Sequence, residues 1–356
     1  MTNNKVKIFV TYKDKHKLIK SDIITPIQTG RAIAKEKFEG MIGDDTGDNI
    51  SKENPKYNEL SAQYWVWKHY EEIGNPEYVG FMHYRRHFLF DDDIDLSEKK
   101  TWLPGMCLYN FEKIDKKYLE SLSEEKILSQ LADNPDVIVL KPYNINLFGN
   151  NDLYMREHYI STIIGAKRIN WNVFYDVVSE LYPQYKNILD KFTYGNLINC
   201  CNMFVMHRDI FKRCADFYFS ILSEVDKRID SSLYDSQELR FLGFLGEYIL
   251  TLFVMILEEE NQTKIKYLNG TFIENTNENS LINCFAIKKI ARWFFEMTNI
   301  NHHKQITICG IKIKIKMKKR EMVFNIREHL YYQSAELKIL ENKISELQKE
   351  LILTKK

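Results

Sequence analysis

YVGFMHYRRHFLF, residues 78–90, is the stretch of sequence that decides the fold. It is a nearly continuous apolar run, which is typical of a strand buried on both faces of a sheet. The polar segment HYRRH, residues 83–87, interrupts it. Open α/β sheets bind ligands beyond the carboxyl ends of their strands. The run therefore predicts an inner strand that ends at a ligand site.

Strands and helices alternate on both sides of this run. Upstream, VKIFVTYK (6–13) predicts the first strand, and NELSAQYWVWKHYEEI predicts a helix over 57–73. Downstream, the pattern predicts helices at 123–133, from 209 and at 236–259, and strands at 136–143 and 202–207. Such alternation is typical of a sheet covered by helices. We predict an α/β fold with a mixed, mainly parallel sheet flanked by helices.

The C-terminal part of the chain differs in kind. From Lys304 to Arg320 there are seven basic residues and no acidic one, and isoleucine alternates with lysine over 311–316. This period of two predicts a basic β-hairpin or edge strand. Apolar residues at heptad spacing after residue 330 predict a short coiled coil and therefore a homo-oligomer. We expect domains at 1–300, 301–326 and 327–356.

Composition limits the classes of function. The net charge is +1 and the basic segment has no interleaved aromatics, so we expect no nucleic-acid partner. The six cysteines form no CxxC pair, which argues against a zinc site and fits a reducing compartment. The start of the chain lacks the pattern of a secretory signal. The longest apolar run, 248–257, is shorter than the roughly 20 residues of a membrane span, so we expect a cytoplasmic protein.

A glycine-bearing loop, IGDDTGDNIS, carries three aspartates, Asp44, Asp45 and Asp48. Their carboxylates could hold a divalent cation or accept hydrogen bonds from ribose hydroxyls and a uracil N–H. The alternative is a solvated turn in which Asp48, Asn49 or Ser51 caps the following helix. The loop alone leaves both interpretations open.

The HYRRH segment places Arg85 and Arg86 at the expected end of the inner strand. The planar guanidinium group suits phosphate oxygens. Adjacent strand residues point to opposite faces, so at most one of the two arginines need contact a ligand. The alternative is that both arginines form surface ion pairs and that His83 is a satisfied core histidine.

A third candidate is RFLGFLGEYILTLF, which places Glu247 on an otherwise apolar helix. Burial there would raise the pKa of Glu247 and suit it to act as a general base or to contact a sugar hydroxyl. The alternative, which the sequence favours slightly, is a buried ion pair with Arg240.

These segments in this order resemble a family of bacterial capsular and exopolysaccharide glycosyltransferases, long catalogued as a domain of unknown function. The resemblance extends from about residue 5 to about residue 268. It rests on VKIFVTYK, PIQTG, IGDDTGDNIS with NELSAQYWVWK, YVGFMHYRRHF, NMFVMHRDIF and RFLGFLGEYIL. One departure is Tyr248, since the family usually has arginine after this glutamate.

The resemblance implies a GT-A-like nucleotide-sugar-binding sheet, with an acceptor side built from the later helices. From the motifs and this resemblance together, we assign the candidate residues to three groups. The donor-binding candidates are Tyr12, Gln28, Gly30, Asp44, Asp45, Asn49, His83, Tyr84, Arg85 and Arg86. The acceptor or sugar candidates are Asn202, Arg240, Glu247 and His158. The catalytic candidates are Glu247 and Asp45, with His158 as a further possible base.

The expected function is transfer of a hexosyl unit, with galactose or galactofuranose as the guess, from a UDP-sugar to a lipid-linked oligosaccharide. His83 with Arg85 or Arg86 would stabilise the leaving diphosphate without a metal, whereas the rival is that Asp44 and Asp45 recruit Mg or Mn. The basic segment would hold the enzyme peripherally at the inner face of the cell membrane, or its lysines only protect a strand edge. The alternative function is a non-catalytic nucleotide-sugar-binding scaffold.

Overall fold

The computed structural model describes residues 5–103, 105–148 and 153–276, and the three strands at 295–300, 303–308 and 311–316. The chain divides into two compact units, Met1–Ser280 and Leu281–Lys356. The division falls before the boundary expected near residue 300, and the strand at 295–300 belongs to the second unit.

The first unit is built on a ten-stranded sheet. Seven strands form its main path: β1 (Val6–Tyr12), β2 (Ile24–Gln28), β3 (Ile42–Gly43), β4 (Tyr78–His83), β7 (Val137–Leu140), β10 (Phe204–His207) and β11 (Ile265–Leu268). Their order across the sheet is β11-β7-β10-β4-β1-β2-β3. Within this path only β10 is antiparallel to its neighbours. The predicted mixed, mainly parallel sheet is confirmed.

The remaining strands extend the sheet beside the end of β4. They are β5 (Arg86–Phe88), β6 (Leu108–Lys113) and β12 (Gly270–Asn275), and β12 pairs with both of the others. A separate two-stranded sheet joins β8 (Tyr143–Asn144) to β9 (Leu197–Ile198). The polar interruption at 83–87 is therefore not part of one long strand. It is a tight hairpin in which His83 pairs with Arg86.

Nine α-helices lie in the described part of the first unit. They are α1 (Asn54–Tyr57), α2 (Leu60–Lys68), α3 (Lys116–Glu120), α4 (Glu124–Gln130), α5 (Met155–Thr162), α6 (Arg168–Leu181), α7 (Lys186–Thr193), α8 (Arg208–Arg228) and α9 (Phe241–Glu260). The helix predicted over 57–73 is shorter than expected: α2 begins at Leu60, after Asn58 with a φ of 51°, and ends at Lys68. The predicted caps are wrong, since neither helix has a side-chain cap.

Helix α9 is the most apolar helix of the described chain. Together with the short turn before it, the segment Glu238–Glu260 is long and apolar enough to cross a membrane by length and composition. However, 78% of its apolar window is buried inside the protein. This burial is what a core helix shows, as the sequence predicts.

The described part of the second unit is an antiparallel sheet of β13 (Phe295–Ile300), β14 (His303–Ile308) and β15 (Ile311–Lys316). Strands β14 and β15 form the predicted basic hairpin. The predicted coiled coil at 327–356 lies outside the described residues.

Candidate functional site

The candidate site lies at the carboxyl edge of the sheet. Strand β1 is flanked by β2 on one side and by β4 on the other, so the chain reverses direction across the sheet between them. Such a switch point is where open α/β sheets bind ligands. Strand β10 is antiparallel, so the turn that precedes it, with Cys201 and Asn202, lies at the same edge as the ends of β1 and β4.

The aspartate-rich loop also lies at this edge, but its first carboxylate is fully used inside the protein. Asp44 is completely buried. Its oxygens accept hydrogen bonds from the backbone N–H groups of Gly30 (2.8 Å) and Arg31 (3.0 Å) and from the hydroxyls of Ser51 and Ser61 (2.6 Å each). Asp44 therefore ties the end of β2 to α2, and a bound ligand or metal would have to displace these donors.

The other polar side chains near this loop are also occupied. The Gln28 amide bonds the backbone of Glu36 and Phe38 at 2.7 and 3.0 Å. Asn49 donates to the Gly47 carbonyl at 2.8 Å and accepts from the Ser51 N–H at 3.2 Å. These groups hold the backbone in place. Their donor-binding role stays a prediction.

Asp45, the second catalytic candidate, pairs with Lys37 at 2.8 Å and lies 3.6 Å from Arg31. Asp48 accepts a hydrogen bond from Tyr64 at 3.0 Å, so it does not cap a helix. Gly30 has a φ of +64°, and a Cβ there would lie 2.7 Å from the Asn54 side chain. This position therefore requires glycine for backbone reasons.

The two predicted tyrosines differ in exposure. Tyr12 is completely buried, and its hydroxyl accepts from the Ile19 N–H at 3.0 Å. Burial raises the pKa of Tyr12, although the hydrogen bond with Ile19 lowers it. Tyr84 is half-buried in the β4–β5 turn and stacks on His16 with ring centroids 4.0 Å apart. Tyr12 is therefore a core residue, whereas Tyr84 borders the site.

Both arginines of the turn converge on one aromatic ring. The guanidinium carbons of Arg85 and Arg86 lie 5.2 and 5.8 Å from the centre of the Phe272 ring, and Arg86 also lies 4.8 Å from the Trp102 ring. The expectation that the two side chains point to opposite faces assumed a strand and does not apply, because Arg85 lies in the turn and not in a strand. Both guanidinium groups therefore lie within cation–π distance of the Phe272 ring.

The groups around Arg86 change its pKa. Burial opposes its charge, but Cys201, Glu247, Cys200 and Glu59 together raise the pKa of Arg86 overall. Its Nε atom is buried and has no hydrogen-bond partner among the described residues. Arg86 is therefore a cation whose Nε–H remains available to donate a hydrogen bond.

His83, at the end of β4, has a lowered pKa. Burial lowers the pKa of His83, and the charges of Arg86 and Arg85 lower it further, although Glu59 and a hydrogen bond with Cys201 oppose this. Nε2 donates to the carbonyl of Cys201. His83 therefore fixes the turn before β10 and contributes no positive charge of its own at neutral pH.

The turn before β10 has an unusual backbone. Cys201 and Asn202 have φ values of 76° and 49°, and consecutive non-glycine residues in the left-handed region are strained. Asn202 is completely buried. Its Nδ2 donates to Glu59 at 2.7 Å and to the Gly243 carbonyl at 3.2 Å. Strain of this kind is common where backbone geometry serves a ligand site.

Glu247 lies in the second turn of α9 against this strained turn. Burial and the nearby charge of Glu59 raise the pKa of Glu247 to about 7, although a backbone hydrogen bond with Cys201 and the charges of Arg86 and Arg240 lower it. The suggested ion pair with Arg240 is not formed. The Arg240 guanidinium donates instead to Asn58 and Gln237, at 3.2 Å each.

His158, the remaining candidate, is buried, and its Nδ1 lies 2.7 Å from the hydroxyl of Tyr248. Burial lowers the pKa of His158 to about 4. Tyr248 packs edge-to-face on Tyr159 and Trp171 at 5.3 and 5.4 Å. The departure at Tyr248 is therefore a packing change inside the core.

The sequence interpretation missed Glu59 and Trp102. Glu59 stands just before α2, inside the quoted segment NELSAQYW, but a single glutamate before an apolar helix is usually a helix-terminal charge. Trp102 follows a loop with no strong pattern. No sequence signal indicates that these residues and Arg86 lie together.

Within the described residues, no group of three or more His, Cys, Asp or Glu side chains is arranged to hold a metal ion. The Asp44 carboxylate is already saturated by hydrogen-bond donors.

The sheet order and the edge site define a GT-A-like α/β protein. A solved structure described as the apo form of WbbM, a bifunctional glycosyltransferase, matches this chain with a TM-score of 0.70 and 32% sequence identity. The match covers 79% of this chain and 47% of that chain, so this chain spans about half of the larger protein. No curated protein matches.

The model of the domain of unknown function DUF4422 matches residues 7–261. The chain belongs to this family.

Proposed function

We propose that this chain is a glycosyltransferase that moves a hexosyl unit from a UDP-sugar to a saccharide acceptor. The observation that carries the proposal is the pairing, at the switch-point edge, of a cationic end of β4 with a glutamate whose pKa is raised to about 7. The similarity to WbbM, which is described as a glycosyltransferase, supports the same reaction class.

In this proposal Arg85 and Arg86 receive the diphosphate of the donor. Negative charge develops on the leaving diphosphate as the bond between it and the sugar breaks, and fixed cations stabilise this charge. Phe272 and Trp102 hold the guanidinium groups in place before the donor binds.

Glu247 acts as the general base of the proposed reaction. It takes the proton from an acceptor hydroxyl, the oxygen forms a bond to the anomeric carbon, and the nucleoside diphosphate leaves with the electron pair of the broken bond. A pKa near the working pH lets a carboxylate be both deprotonated and strongly basic. This step inverts the anomeric configuration.

Galactose or galactofuranose as the sugar, and a lipid-linked oligosaccharide as the acceptor, are finer proposals. The sequence supports a membrane location through Lys312, Lys314 and Lys316, which occupy alternate positions of β15. Each lysine near an anionic lipid surface contributes about 1 kcal/mol to the free energy of membrane binding. Sedimentation with anionic vesicles tests this proposal, and equal partitioning of the full chain and a chain ending at Asn301 would refute it.

The test of the reaction is release of UDP from a panel of UDP-hexoses in the presence of hexose acceptors. We expect one donor to be turned over by the wild type, with full activity after exhaustive EDTA treatment. Loss of activity that Mn restores would refute the metal-free version. Binding of a donor with no turnover under any condition would favour the alternative function, a non-catalytic nucleotide-sugar-binding scaffold.

A further inference from the structure

Glu59 lies where two helices meet. It immediately precedes α2, and its Oε1 accepts a hydrogen bond from Nδ2 of Asn202 at 2.7 Å. The same Nδ2 lies 3.2 Å from the carbonyl of Gly243 in the first turn of α9. One buried amide thus joins the start of α2 to the start of α9.

Two glycines let α9 approach the chain on both sides of Glu59. A Cβ at Gly243 would lie 1.9 Å from the side-chain amide of Asn58, and a Cβ at Gly246 would lie 2.8 Å from Leu60. Asn58 and Leu60 are the neighbours of Glu59, and Gly246 is the neighbour of Glu247. The backbone therefore holds the two glutamates close together.

The charged groups around Glu247 come from several elements. Glu59 precedes α2, Arg86 opens β5, and Arg240 precedes α9, and all three act on Glu247. His83 is the last residue of β4, and Glu59 raises its pKa whereas Arg86 lowers it. The other titratable groups that interact electrostatically with Glu247 or Arg86 are Tyr143, Cys200, Cys201, Tyr218 and Tyr248.

We propose that Glu59 is a positioning residue whose carboxylate, held by Asn202, delays ionisation of Glu247 and so sets the pH at which transfer begins. The proposal rests on the proposed function, in which Glu247 is the base. A like charge disfavours ionisation of its neighbour. The Arg86 and Arg240 cations lower the pKa of Glu247. The Glu59 charge opposes them, so Glu247 keeps its proton up to a higher pH.

The test is Glu59→Gln, an isosteric change that removes the charge and keeps an oxygen for Asn202. Because a base acts when deprotonated, activity rises with pH through its pKa. We expect the acid limb of kcat/KM in Glu59→Gln to move down by about one pH unit. Glu59→Asp, which restores the charge, should move the limb back towards the wild type.

Glu53→Gln is the matched control. Glu53 immediately precedes α1, as Glu59 precedes α2, but its side chain is 51% exposed and lies 3.9 Å from Lys56. We expect no displacement of the acid limb in this variant. An equal displacement in Glu53→Gln and Glu59→Gln would overturn the proposal.

A second measurement does not depend on activity. Carbon-13 NMR of glutamate carboxyls follows the titration of Glu247, assigned by its disappearance in Glu247→Gln. We expect the midpoint to fall by about one pH unit in Glu59→Gln. An unchanged midpoint overturns this inference even if the wild type transfers sugar. Absence of any donor turnover, with the midpoint displaced, refutes the proposed function and leaves the coupling of the two glutamates intact.

Discussion

The aspartate loop and the residues around Glu247 lie at the same edge of the sheet, but they use their charges differently. Asp44 in the loop has four hydrogen-bond donors on its two oxygens. Glu247, which is half-buried, has a raised pKa and forms no ion pair with Arg240. A buried charge that is fully satisfied stabilises the fold, whereas a partly enclosed charge that is poorly compensated is a candidate for chemistry.

This difference explains why a polar motif is an uncertain guide to a site. The loop has the more conspicuous sequence, with three aspartates and two glycines between 42 and 51. Its polar groups nevertheless bind to the loop itself, to residues between 30 and 37 and to α2. The charges around Glu247 come from β5, from the residue before α2 and from the start of α9, which are far apart in the chain, and only the fold brings them together.

The largest expected effect is that of Glu247→Gln in the candidate site. Loss of a general base typically costs 10²–10⁴ in rate, so we expect transfer to fall about 1,000-fold. UDP binding, measured by calorimetry, should be retained. Glu224→Gln, on the surface of α8, is the control and should behave as the wild type. If Glu247→Gln transferred sugar at the wild-type rate, Glu247 would not be the general base.

Arg86→Lys should have the next largest effect. The lysine keeps a positive charge but loses the planar fork that stacks on Trp102 and binds phosphate oxygens. We expect kcat/KM for the donor to fall about 100-fold. Arg213→Lys, at the ion pair with Glu260, is the matched control and should leave donor kinetics unchanged. Equal effects of the two changes would contradict the assignment.

Asp44→Asn tests the loop side of the comparison. The change removes a charge that four donors satisfy, and the new NH₂ group meets a donor where it needs an acceptor. We expect the free energy of unfolding to fall by about 3 kcal/mol, measured by urea denaturation. Donor kinetics per folded molecule should change less than tenfold. A stable Asp44→Asn protein without activity would mean that the loop carries chemistry.

The last expected effect is on stability and appears only above the ordinary pKa of a glutamate. The folded-state pKa of Glu247 is raised to about 7 from an ordinary 4.5, so its contribution to stability is present at acidic pH and is lost as pH rises through about 7. Glu247→Gln should therefore raise Tm by a few degrees at pH 8 relative to the wild type. At pH 4 the two proteins should unfold at the same temperature. Equal Tm values at pH 8 would show that the charge is not buried.

The four central strands of the sheet were predictable, because buried strands leave recognisable apolar patterns, whereas the six shorter or outer strands were not predicted. The runs at β1, β4, β7 and β10 each follow such a pattern, and the structure has strands at all four. The hairpin at 83–87 was not predictable, since its two-residue turn, Tyr84 and Arg85, contains neither glycine nor asparagine.

The site was predictable only in part. Arg86 and Glu247 were candidates from their motifs and Asn202 was a candidate from the family resemblance, and the structure brings them to one edge. Glu59 was missed because its role depends on Gly243 and Gly246 bringing α9 against its neighbours. Contacts of that kind join residues more than 180 positions apart, and local sequence patterns do not record them.

The central claim is that the diphosphate of a sugar nucleotide binds at the arginine-bearing end of β4. A crystal structure of the protein with UDP tests it most directly. The account predicts phosphate oxygens within hydrogen-bond distance of Arg85 or Arg86, with Glu247 facing the position of the departing sugar. A UDP molecule held by Asp44 and Asp45 instead, with both arginines still stacked on Phe272 and free of phosphate, would contradict it.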